Sequence, residues 1–158
     1  MNSFSHFSAN MELPFKHTGL YHITHYAHYG IYLTKSVFVH SPLAGGFLTG
    51  RMTRGDVAGT RFDPGNIAFK GYSSMYDKPE MHAAITDLQD TIEPLQISGS
   101  QACLRWIYYH SMLGNGDGVI LGASKISQIV QNVEDVSQGP LPIEVVRKID
   151  SLRKRLVN

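Results

Sequence analysis

Two short β-branched runs, Val37-Phe38-Val39-His40 and Val119-Ile120-Leu121, most limit what this chain can fold into. Each reads as a strand, and the first is expected to be buried. Each is followed by a loop bearing glycine and hydroxyl residues, and helical periodicity fills the stretch between them. The expected order is strand, long loop, two helices, strand, helix, helix. Alternation of that kind predicts parallel α/β construction, although two strands alone cannot bury a sheet.

The helices are read from their caps and stripes. Asp77 is expected to cap the first, with Pro79 in its first turn and Glu80 three residues on. Met81, Ala84, Ile85, Leu88, Ile92 and Leu95 fall at helical spacing and define one apolar face. Ser98 and Gln101 mark a second start, for a helix carrying Leu104, Trp106, Ile107 and Tyr108 towards Leu113. Gly114 to Gly118 form a turn. A last helix starts near Pro142, with Val145, Val146, Ile149, Leu152 and Leu156 on one stripe. Residues 51–76 read as a long surface loop, and loops of that length in a compact domain are more often functional than idle.

Composition narrows the partners. In 158 residues the net charge is +1, which selects neither nucleic acid nor a membrane surface. The single cysteine, Cys103, excludes an internal disulfide and any cysteine-clustered zinc site, and a buried small side chain is the simpler reading of it. No secretory signal or apolar span is evident, so a cytoplasmic location is expected. His22, His25 and His28 recur every three residues, but aromatics interleave and no carboxylate lies among them. No metal is expected there, because ligands need convergent geometry that spacing does not supply.

Two segments could hold phosphate. In Ser41-Pro42-Leu43-Ala44-Gly45-Gly46-Phe47-Leu48-Thr49-Gly50, the paired glycines let backbone N–H groups approach a ligand, and Ser41 and Thr49 add hydroxyls. On spacing alone, a tight turn is the simpler reading. In Gly122-Ala123-Ser124-Lys125, a strand passes into a helix whose first N–H groups attract anions. Lys125 adds a full charge, and Gln128, Gln131 and Asn132 follow at helical spacing. The simpler alternative is that Ser124 only caps the helix and the amides are solvated. Together, two successive strands ending in phosphate-suited loops match the last two units of a (β/α)8 barrel.

The first segment resembles the strand-seven loop of aldo-keto reductases, especially the aflatoxin-aldehyde-reductase branch and its fungal relatives. So do Leu104-Arg105-Trp106-Ile107-Tyr108-Tyr109-His110-Ser111 and Gly116-Asp117-Gly118-Val119-Ile120-Leu121-Gly122-Ala123-Ser124. The likeness continues through Gln131-Asn132 and Gly139-Pro140-Leu141 to the terminal helix. It implies an α/β fold, a partial TIM barrel made of strands seven and eight with their helices. Residues 37–158 would be the NADP-binding portion, and residues 1–36 an unmatched, misassigned or disordered segment.

The resemblance also implies roles. Ser41 through Arg51 would wrap the pyrophosphate and ribose of NADP(H), and Arg61 matches a family arginine that contacts the cofactor. Gly122 through Asn132 would hold the adenosine end, with Ser124, Lys125 and Gln128 near the 2′-phosphate, and Gln131 and Asn132 near adenine. Tyr72 matches a substrate-pocket tyrosine, whereas Met75 stands where the branch commonly has arginine. The family's catalytic Asp, Tyr, Lys and His lie on its first four strands, and nothing in residues 1–36 resembles them, so no catalytic residue is assigned. The expected function is NADPH-dependent reduction of small carbonyl compounds, by a chain that is truncated and inactive alone. The alternative is a non-catalytic remnant that pairs with a full-length reductase, and open barrel edges imply self-association.

Overall fold

A computed structural model of the protein describes residues 37–157, and the readings placed on residues 1–36, the histidine run included, lie outside them. The order is β1 (Phe38–His40), a 3-10 turn over Ala44–Thr49, α1 (Phe69–Tyr76) and α2 (Pro79–Ile92). A second 3-10 turn, Glu93–Leu95, precedes α3 (Gly99–His110), β2 (Gly118–Ile120), α4 (Ile126–Ser137) and α5 (Ile143–Val157). Three helices therefore separate the strands where two were expected, because the end of the expected loop, Phe69–Tyr76, is itself helical.

The strands pair in parallel, with Phe38 opposite Gly118, Val39 opposite Val119 and His40 opposite Ile120. One carboxylate fixes where the pairing starts. Asp117 accepts from the Gly114 N–H and from the Val37 N–H, each at 2.8 Å. These two donors hold its carboxyl below the ordinary carboxylate range, the Gly114 bond contributing most. The Gly118 N–H then donates to the Val37 carbonyl at 2.9 Å. Because strand side chains alternate, Val39 faces the helices and is buried, while Phe38 and Ile120 are exposed. The expected buried strand is thus buried on one face only among the described residues.

Helices α2, α3 and α5 build the core under Val39. Leu88 and Ile92 of α2 join Trp106 and Ile107 of α3 and Val145 and Ile149 of α5 in one buried cluster. The start of α3 is capped as its sequence predicts. The Gln101 N–H donates to Ser98 Oγ at 3.1 Å, and the Ser98 N–H donates to Gln101 Oε1 at 2.8 Å. The start of α2 departs from expectation. Lys78, in extended conformation, is the capping position, and the Asp77 carboxylate instead meets His82 Nε2 at 3.1 Å. Leu95 and Tyr108 lie outside the buried stripes and are exposed.

Helix α4 packs on α3 through polar groups. Asn132 and Asp135 are buried, and Asp135 accepts from Gln131 Nε2 at 2.9 Å. Tyr109 Oη donates to the Val136 carbonyl at 2.9 Å. The buried Arg105 donates to the carbonyls of Gly139 and Pro140, at 2.7 and 2.8 Å, placing a cation where the α4 dipole is negative. Four apolar residues of α4, Ile126, Ile129, Val130 and Val133, are exposed, while Val136 is half-buried. No helix among the described residues is long and apolar enough to cross a membrane.

The division between core and stripe is measurable. Trp106, the chain's one tryptophan, is buried in the main cluster and reports unfolding by fluorescence. Ile107→Ala removes a side chain that is 1% exposed and is expected to cost about 2–5 kcal/mol in urea unfolding. Ile129→Ala, at a partly exposed position, is expected to change stability by no more than about 0.5 kcal/mol.

Candidate functional site

Parallel pairing puts the C-terminal ends of both strands at one end of the sheet. His40 lies opposite Ile120, so the loop opening at Ser41 and the loop passing through Gly122 leave side by side. In α/β proteins ligands bind beyond the carboxyl ends of parallel strands.

The first loop is wound tightly. Ser41, Ala44, Gly45 and Gly46 all have positive φ, at 56°, 50°, 68° and 101°. L-residues rarely hold that conformation, and two successive positions of it need glycine. The Ala44 N–H donates to the Ser41 carbonyl at 2.9 Å, and the Gly46 N–H to the Leu43 carbonyl at 2.8 Å. Thr49 Oγ1 turns back to the Gly46 carbonyl at 2.7 Å, which makes Thr49 part of the loop's own bracing. Pro42, Ala44, Phe47 and Gly50 are buried and shape the turn from beneath. Ser41, Leu43, Gly45, Gly46, Leu48 and Thr49 remain partly exposed along it.

Arg51 also braces its surroundings. Its guanidinium grips Asp56 through two donors, at 2.7 and 3.0 Å, and reaches the Ala58 carbonyl at 3.3 Å. The pair raises the arginine and lowers the carboxyl, by hydrogen bonding above all. Such a fork is geometrically specific and fixes the turn over residues 51–58. Arg61 is exposed, with its guanidinium carbon 5.2 Å from the centre of the Tyr72 ring. Tyr72 is partly buried in an aromatic group with Phe47, Phe62 and Tyr76. Met75 packs against that same group.

At the second loop, Gly122, Ala123, Ser124 and Lys125 are all exposed. The capping position of α4 is Lys125, one residue after the expected Ser124, and Gln128 caps the helix from within. Its Oε1 accepts from the Ser124 N–H at 2.9 Å, the Lys125 N–H at 3.2 Å and Ser124 Oγ at 3.2 Å. One carbonyl oxygen therefore gathers three donors at the positive end of α4, with the Lys125 cation in the same exposed turn. That donor set fits an anionic oxygen, which would take over the position of the Gln128 carbonyl. Gln131 and Asn132 differ from it: the first is tied to Asp135, and the second is buried.

A histidine that sequence reasoning passed over also supports the loops. His82 Nδ1 lies 3.0 Å from Thr53 Oγ1, and its ring stands edge-on to Phe47 at 5.3 Å. No local motif reveals that link, because 29 positions of sequence separate Thr53 from His82.

Comparison with known proteins places the chain among relatives. The family model described as "Aldo/keto reductase family" matches residues 22–154. An aldo-keto reductase of Pseudocercospora fijiensis is 35% identical over 128 residues, covering 78% of this chain and 42% of that protein. The oxidoreductase sirO of Leptosphaeria maculans is 30% identical, covering 73% of this chain and 36% of that protein. Aflatoxin B1 aldehyde reductase member 2 of Homo sapiens is 35% identical, covering 69% and 33%. The chain thus spans well under half the length of these relatives.

The Arg51–Asp56 fork has a pH signature. Because Asp56 is lowered in the folded chain, its contribution is present above the unfolded carboxylate value of about 3.9 and is lost as pH falls through the folded one. Asp56→Asn is expected to speed amide hydrogen exchange across residues 51–58, leave α3 unchanged, and abolish the acid dependence of that exchange opening. Unaltered protection in the variant would show that the fork does not hold the turn.

Proposed function

The chain belongs to the aldo/keto reductase family, and we propose that it supplies the NADP(H)-holding end of an enzyme that reduces aldehydes or ketones. In this reading β1 and β2 are strands seven and eight of a (β/α)8 barrel, and the helices are its outer layer. This reading assigns no proton-donating residue to the described residues. One observation supports the reading best: both anion-suited loops leave the same end of one parallel sheet.

The residues then divide the cofactor between them. The glycine turn at Gly45 and Gly46, with Ser41, faces the pyrophosphate. Ser124, Lys125 and the first N–H groups of α4 hold the 2′-phosphate, and Arg61 adds a second cation. Pro42, Leu43, Ala44, Phe47, Leu48, Thr49, Gly50 and Arg51 keep the first loop in shape. Gln131 and Asn132 set the surface on which adenine rests. When bound, NADPH would be the source of hydride for a carbonyl carbon. The chain's own residues bind and orient its charged end.

A second reading, a non-catalytic partner of a reductase or of another copy of itself, is favoured by α4. Ile126, Ile129, Val130 and Val133 form an exposed apolar stripe, and Phe38 and Ile120 leave one sheet face uncovered. Exposed stripes of this kind are covered in stable proteins. Light scattering across a concentration series is expected to give a mass above that of the monomer, falling when Val130→Glu is introduced. A monomer at every concentration would remove this reading.

The cofactor reading is tested with 2′-phospho-AMP and AMP, titrated by calorimetry or NMR. Binding is expected in roughly the high-micromolar to millimolar range, because loops held by few contacts must order on binding. It is expected to favour 2′-phospho-AMP, to weaken with salt, and to lose that preference in Lys125→Ala. Equal affinity for the two nucleotides would overturn the 2′-phosphate assignment.

A further inference from the structure

We propose that Tyr72 is a positioning residue for the cofactor's phosphates, acting through Gly45 and Arg61. The inference rests on the cofactor reading above, and it gives Tyr72 a role different from lining a substrate pocket. Three observations meet at its ring. A methyl group at Gly45 would overlap the Cδ1–Cε1 edge of Tyr72, so the glycine turn rests directly against that edge. The Arg61 guanidinium lies over the ring, 5.2 Å from its centre. The ring is itself held in place, with Phe62 edge-on at 6.0 Å and Tyr76 at 6.1 Å.

The packing behind the ring links both groups to one support. Phe47, one residue beyond the glycine pair, stacks on Tyr76 at 5.7 Å and meets Phe62 edge-on at 5.9 Å. Phe62 follows Arg61 directly in the chain. The turn that would offer N–H groups and the arginine that would offer charge are therefore anchored on one aromatic group. Tyr72 is the member that touches both. Left free, an exposed arginine loses side-chain freedom when it meets an anion, and a ring beneath its guanidinium reduces what remains to be lost. The ring edge likewise sets how far the Gly45 turn can retreat from a ligand.

This arrangement makes the ring, and not the hydroxyl, the working part. In the full chain, Tyr72→Phe is expected to bind 2′-phospho-AMP as the wild type does, and Tyr72→Leu to bind about fivefold more weakly. Arg61→Met is expected to weaken binding as much. Once Arg61 is Met, adding Tyr72→Leu is expected to cost little more, since the two act as one unit. Ring-current displacement of the Arg61 side-chain protons is expected in the wild type and in Tyr72→Phe, and to vanish in Tyr72→Leu. Trp106 fluorescence checks that each variant folds. If Tyr72→Leu does not fold, Tyr72→Phe and Arg61→Met carry the test, the first unchanged and the second weakened. Wild-type binding with undiminished affinity in Tyr72→Leu, or a loss in Tyr72→Phe equal to that in Tyr72→Leu, would overturn the inference alone. Absence of wild-type binding would overturn the cofactor reading and this inference with it.

Discussion

Parallel pairing of Phe38–His40 with Gly118–Ile120 is the constraint on which the rest depends. Only three residues pair on each side, so the ladder contributes little by itself. Its register is set from one end by Asp117, whose carboxylate joins the start of β1 to the turn before β2. It is held from beneath by Val39, packed among α2, α3 and α5. Were the strands antiparallel, the Ser41 loop and the Gly122 loop would leave opposite ends of the sheet and could not face one ligand.

The first loop shows how a strained segment is kept in place. Five of its residues, Ser41, Ala44, Gly45, Gly46 and Gly50, hold positive φ, two of them non-glycine, and each such non-glycine position costs of order 1 kcal/mol or more. Burial of Phe47 and Ala44 offsets that cost, with Phe47 packed among Phe62, Tyr76 of α1, and Met81 and Ile85 of α2. The second loop needs no such support. It is the exposed start of a helix, and one side chain, Gln128, satisfies its donors.

Features written in local chemistry were legible in the sequence. The Ser98–Gln101 cap, the buried stripe of α2 from Met81 to Ile92 and both strands needed only spacing and residue type. Features decided by distant partners were not. Asp77 has the chemistry of a cap, but His82 competes for its carboxylate and Lys78 takes the capping position. Phe69–Tyr76 reads as loop because Gly71 and two serines lower its helix propensity, whereas Tyr76 is buried in the aromatic group and holds the segment helical. In α4 the burial runs against the stripe: Asn132 and Asp135 are buried, and Ile126, Ile129, Val130 and Val133 are exposed. At the candidate site, the residue types in both loops were readable, but the contact of Tyr72 with Gly45 and Arg61 joins three separate segments and has no local signature.

In the proposed reading, one end of the β1–β2 sheet unites two loops around a single dinucleotide. Titrating the isotope-labelled chain with NADP⁺ and following backbone amide shifts tests it most directly. Shifts are expected to appear together, with one saturation curve, at Ser41 through Phe47 and at Ser124 through Gln128, while α5 stays unmoved. Shifts confined to one loop, or two loops saturating at different concentrations, would contradict it.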